Sequence, residues 1–133
     1  MENNNRRVVI TGMGIWSCLG TTLDEVKESL FNGKSGIIFS PERKEMGFES
    51  GLTASVKKPE LKGLVDRAHR VFMPEEAQYA YMSTVDALKM AKLDEDYIEK
   101  HDIGLLFGND SSADAVVKSV DTMREKKSTR LVG

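Results

Sequence analysis

The side chains best suited to covalent or metal chemistry in this sequence are one cysteine, Cys18, and two histidines, His69 and His101. A cysteine attacks carbonyl carbon as its thiolate, which a helix N-terminus, a cation or an adjacent base stabilises. Cys18 stands four residues before Thr22, where the next helix is predicted to open, and no histidine is near it in sequence. It reads as a small, half-buried thiol. The functional alternative, a nucleophile paired with His69 or His101, needs a contact made across the fold. His69, between Ala68 and Arg70, and His101, between Lys100 and Asp102, read as surface residues. The three groups match no zinc-ligand spacing, and a single cysteine forms no internal disulfide. No metal or cofactor is expected.

The glycine loop Gly12-Met13-Gly14-Ile15-Trp16-Ser17-Cys18-Leu19-Gly20 follows an apolar run and precedes a helix, the place of a dinucleotide fingerprint. The third glycine of that motif would stand at position 17, which is Ser17, and no acidic ribose partner occurs from Asn32 to Phe39, roughly 20 residues further on. Nucleotide binding therefore fails on spacing. These glycines are expected to supply positive φ angles and close backbone approach.

Charge offers a third kind of chemistry, recognition. The whole chain carries a net −2, which argues against general nucleic-acid binding. Positive charge is nonetheless concentrated in two stretches. Lys57, Lys58, Lys62, Arg67 and Arg70 face only Glu60 and Asp66, and Arg124, Lys126, Lys127 and Arg130 face only Glu125. They are either solvated basic faces or capture sites for an acidic partner, whose encounter they would accelerate.

These groups must be held by elements that the pattern predicts. Val8, Val9, Ile10 and Thr11 are apolar or β-branched on both alternating faces, as in a buried parallel strand. Thr22-Leu23-Asp24-Glu25 is a capping-box pattern opening a helix to Asn32, with Gly33 as its stop. From Lys34 to Arg70, glycines and prolines predict irregular structure, with room for short strands at Gly36 to Ser40 and Leu52 to Val56. Pro74 is placed as the first residue of the longest helix, whose apolar face is Ala77, Tyr81, Val85, Leu88 and Ala91. Asp94 caps a short helical turn. Ile103 to Phe107 is a second apolar strand, and a helix bearing Val116, Val120 and Met123 follows. This order is an α/β plan with a parallel sheet. Residues 1–7 form a polar tail and 8–133 a globular unit. No apolar run reaches the roughly 18 residues of a membrane span, and the polar start is no secretory signal, so the cytoplasm is expected.

The series of segments resembles the start of the β-ketoacyl-acyl-carrier-protein synthases. RRVVITGMGIWSCLG matches a first strand and its glycine turn, and LFNGKSGI matches the close of the first helix. LVDRAHRVFM, DIGLLFG and DTMREKKSTRLVG continue the match in order, with LVDRAHRVFM closer to the type I branch. The resemblance implies a thiolase-like fold, layered α-β-α-β-α and incomplete in this chain, of which residues 8–133 are the N-terminal portion. It implies an acyltransferase that performs a decarboxylative Claisen condensation in fatty-acid or polyketide-type synthesis. The family's nucleophilic cysteine and two histidines come later in its sequence, so no residue here is assigned a catalytic role and the chain alone is expected to be inactive.

The same resemblance implies an acidic acyl carrier protein as partner and a homodimer in the full-length enzyme. By position Arg67, Lys127 and Arg130 match carrier-docking residues, and Arg70 lies one residue off the pattern. Ser111 stands at an acyl-pocket or dimer-interface position, within a Gly108-Asn109-Asp110-Ser111-Ser112 run that departs from the family's glycine-rich habit. The alternative function is a non-catalytic carrier-binding or dimerisation module.

Overall fold

The computed structural model describes residues 7–110 and 113–130. Helix α1 runs Leu23–Phe31. Thr22 is extended and its hydroxyl accepts the Glu25 N–H at 3.2 Å. The Glu25 carboxylate reaches back one residue further than in a regular capping box, to the N–H of Thr21 at 2.7 Å and its hydroxyl at 3.2 Å. These bonds satisfy first-turn donors and hold the Glu25 carboxyl below its ordinary value of 4.5, chiefly through the Thr21 N–H. The helix ends in a Schellman motif. Gly33 takes a φ of 62°, the Gly33 N–H returns to the Leu30 carbonyl at 3.1 Å, and Lys34 returns to Ser29 at 2.8 Å. The buried face holds Val26 and Ser29, whose hydroxyl donates to the Leu19 carbonyl at 2.8 Å.

The expected short strands form and pair. Strand β1, Ile37–Phe39, lies antiparallel to β2, Leu52–Ala54, with Ile38 opposite Thr53. Two helices occupy the stretch expected to be irregular. Helix α2, Pro41–Glu45, is capped by Ser40 with Pro41 at its first position, and α3, Arg67–Phe72, is capped by Asp66.

Helix α4 spans Glu75–Ala91. Pro74 serves as its N-cap and so lies one position outside the helix it was expected to begin. At the other end Lys92 adopts a left-handed φ of 57°, letting Leu93 return its N–H to the Leu88 carbonyl at 3.0 Å. Asp94 accepts the Tyr97 N–H at 2.9 Å and opens α5, Glu95–Lys100. Helix α6, Ala113–Lys126, follows.

The opening segment lies across α4. A Cβ on Gly12 would overlap the Ala87 carbonyl, and one on Gly14 would overlap Ser83. Close approach is thus the reason for both glycines. Positive φ is found instead at Gly20, Gly33, Gly47 and Gly63.

Two expected strands are absent. Val8–Thr11 and Ile103–Phe107 carry no ladder among the described residues, and Val8 and Leu106 are 96% and 97% exposed. A strand needs a neighbour for its N–H and C=O groups, and the one sheet described is the antiparallel β1-β2 pair. The parallel sheet implied by the sequence is therefore not formed within these residues. Both runs keep the two-sided apolar pattern of strands meant for burial between layers. The core is correspondingly small: Val26 and Leu61 are its buried aliphatic side chains among the described residues.

Candidate functional site

The first basic stretch is pinned by its backbone and leaves its cations free. Leu61 is buried, and its carbonyl accepts the N–H groups of Leu64 at 3.1 Å and Val65 at 3.0 Å. The Trp16 indole donates to the Lys57 carbonyl at 2.5 Å, and the Tyr81 hydroxyl donates to the Leu64 carbonyl at 3.4 Å. Main-chain anchoring of this kind fixes where side chains start without spending their charges. Lys57, Lys58, Lys62 and Arg67 are all exposed.

Asp66 explains why Arg67 is available. One carboxylate oxygen accepts the His69 N–H at 3.1 Å and the other contacts the His69 ring, so the aspartate is committed to capping α3. The His69 side chain, then its N–H, holds the Asp66 carboxyl below its ordinary value of 3.8. Arg67, at the first helical position, is not drawn into that pair.

Arg70 has a different setting from Arg67. It is half-buried at the edge of a polar cleft of about 310 Å³ between α3, the start of α4 and α6. Lys58, Glu75, Asp114 and Lys118 also line this cleft. Sequence spacing alone did not indicate it. Asp114, by hydrogen bond and charge, pushes the Lys118 pKa up. Burial, then the hydrogen bond to Glu75, pushes the Tyr79 phenol up to about 12.

The second basic stretch sits beyond the same helix. Lys127 closes α6 with a φ of 49° and an N–H bond to the Met123 carbonyl at 2.9 Å, and the Arg130 N–H bonds the Ser128 hydroxyl at 3.2 Å. Both side chains are exposed. Because α6 lines the cleft as far as Thr122, Lys127 lies about 8 Å further along its axis. The fold therefore sets the two basic stretches on adjoining elements, although they are far apart in sequence. Ser111 lies outside the described residues.

The groups with covalent potential are not assembled. Cys18 is half-buried in a tight turn closed by Ser17 and Gly20, with its sulfur packed on Gly36. His69 is engaged by Asp66. His101 contacts the Tyr97 carbonyl through Nδ1 at 2.8 Å and stacks on its ring at 3.9 Å. Each histidine is held within its own helix and neither bonds Cys18. Among the described residues no three of His, Cys, Asp and Glu cluster as metal ligands.

The family model for the β-ketoacyl synthase N-terminal domain matches residues 5–133. The chain belongs to that family. It is 37% identical over 130 residues to 3-oxoacyl-[acyl-carrier-protein] synthase 1 of Escherichia coli K12, covering 96% of this chain and 32% of that protein. It is 36% identical over 129 residues to the Haemophilus influenzae protein of the same name, with 96% and 32% covered. The crystal structure of a β-ketoacyl synthase from Burkholderia phymatum STM815 superposes with a TM-score of 0.73 at 28% identity, again over 96% and 32%. The chain thus spans about a third of the length of these relatives.

As an N-terminal portion of the thiolase-like β-ketoacyl synthase fold, the chain presents a second feature that periodicity did indicate. The apolar face of α4, with Ala77, Tyr81, Val85 and Leu88, joins Leu105 and Phe107 around an open groove of about 1250 Å³. This is the same face expected to be covered in the layered fold. None of the described helices is long and apolar enough to cross a membrane.

Proposed function

We propose that the chain supplies scaffold and partner recognition to a β-ketoacyl-acyl-carrier-protein synthase, a decarboxylative condensing enzyme of fatty-acid or polyketide-type synthesis. In that reaction an acyl group passes from its carrier thioester to an enzyme thiolate, releasing the carrier thiol. Malonyl-carrier then loses carbon dioxide, and the carbon nucleophile so formed attacks the acyl thioester and expels the thiolate. Splitting the reaction through a covalent intermediate lowers each barrier. Cys18 is not that thiolate, because its turn provides no base and both histidines are occupied elsewhere.

What supports the recognition role is the free state of Arg67, Lys127 and Arg130 on adjoining elements. An acyl carrier protein is acidic, so complementary charge would steer its approach. The enzyme acts as a homodimer in the cytoplasm in this account. Titrating holo-acyl carrier protein into the chain over a salt series tests the role. Affinity is expected to fall as salt rises, and Arg67→Glu with Arg130→Glu to weaken it most at low salt; binding indifferent to both would refute it.

A further inference from the structure

The polar cleft beside the docking face contains a donor that no protein group satisfies. Its walls carry Lys58, Arg70 and Lys118 against Glu75 and Asp114, leaving one positive charge in excess. Both carboxylates are already engaged, since Glu75 accepts the Tyr79 hydroxyl and Asp114 pairs with Lys118. Arg70 Nε is shut off from solvent and has no hydrogen-bond partner. An ionised donor withdrawn from water and left unpaired is costly, and the cost is relieved when an acceptor enters.

The chemistry of that acceptor follows from the walls. The Nε edge of a guanidinium is half of the fork that binds a carboxylate through two parallel N–H bonds. A single excess positive charge suits a monoanion, and two resident carboxylates disfavour a phosphate dianion. The volume admits one side chain and not a folded segment. Arg70 and Lys58 come from the same basic stretch as Arg67, so an occupant would arrive with the partner that Arg67 attracts.

We propose that this cleft receives one carboxylate side chain of the acidic carrier, with Arg70 and Lys58 as its grip. The proposal rests on the docking role above and adds a division of labour to it. Exposed Arg67 and Arg130 act at long range on association, while Arg70, already desolvated, acts at contact on dissociation.

The test measures association and dissociation rates of holo-acyl carrier protein with the full chain and four variants. Arg70→Met and, on the opposite wall, Lys58→Met remove the grip. Arg67→Glu tests steering, and Lys27→Met, on α1 outside both basic stretches, removes one positive charge elsewhere. Arg70→Met is expected to raise the dissociation rate about tenfold to a hundredfold with little change in association. Lys58→Met should raise dissociation less, Arg67→Glu should slow association, and Lys27→Met should do neither. Lys58→Met decides the matter if Arg70→Met does not fold, which Trp16 fluorescence reports. Unchanged dissociation in the folded cleft variants, with slowed association in Arg67→Glu, overturns the cleft and leaves the docking role standing. Unchanged rates in all of them overturn both.

Discussion

Gly14 lies against the main chain of Ser83, so close that a methyl group at Gly14 would overlap the Ser83 carbonyl oxygen. This contact, with its neighbour Gly12 on Ala87, seats the opening segment on α4. Gly14→Ala is therefore expected to destabilise the fold by about 1–3 kcal/mol, the cost of forcing an extra group into a filled contact. Chemical denaturation of the two proteins measures it. Equal midpoints would show that the segment is not seated there.

The cap on α3 should depend on pH. The Asp66 carboxyl is held below its ordinary value of 3.8 by His69, so the folded form releases its proton more readily than the unfolded form. Its contribution to stability is full above that value and is lost as pH falls through the lower folded value. Carboxyl chemical shifts should place the Asp66 midpoint below 3.8, and Asp66→Ala should abolish the helical shifts of residues 67–72. A midpoint at or above the ordinary value would contradict the pairing.

The groove on α4 should make the chain associate. An open apolar face of this size, beside exposed Leu105, Leu106 and Phe107, is one that proteins cover. Sedimentation should show concentration-dependent oligomers, and Leu88→Glu should shift them towards monomer. A monomer at all concentrations with a sharp melting profile would contradict this.

Local chemistry was the legible part of the fold. Thr22, Gly33 and Asp94 named helix ends because each acts through bonds to residues within a few positions. The hairpin strands were legible for the same reason. Ser40 with Pro41, and Asp66, carried equally local signals for α2 and α3, but the surrounding glycines and prolines hid them. Val8–Thr11 and Ile103–Phe107 failed as strands because a strand's partner is distant, and none is present among the described residues. At the site, the charge bias and Arg67 were legible. The setting of Arg70 was not, because Glu75, Asp114 and Lys118 reach it only through the packing of three helices.

The central claim is that this chain recognises a carrier without performing the covalent step. Mass spectrometry of the chain mixed with an acyl-carrier thioester tests it most directly, recorded under native and then denaturing conditions. The account predicts a one-to-one complex in the native spectrum and an unmodified chain mass after denaturation. An acyl group retained on Cys18, or no complex at low salt, would contradict it.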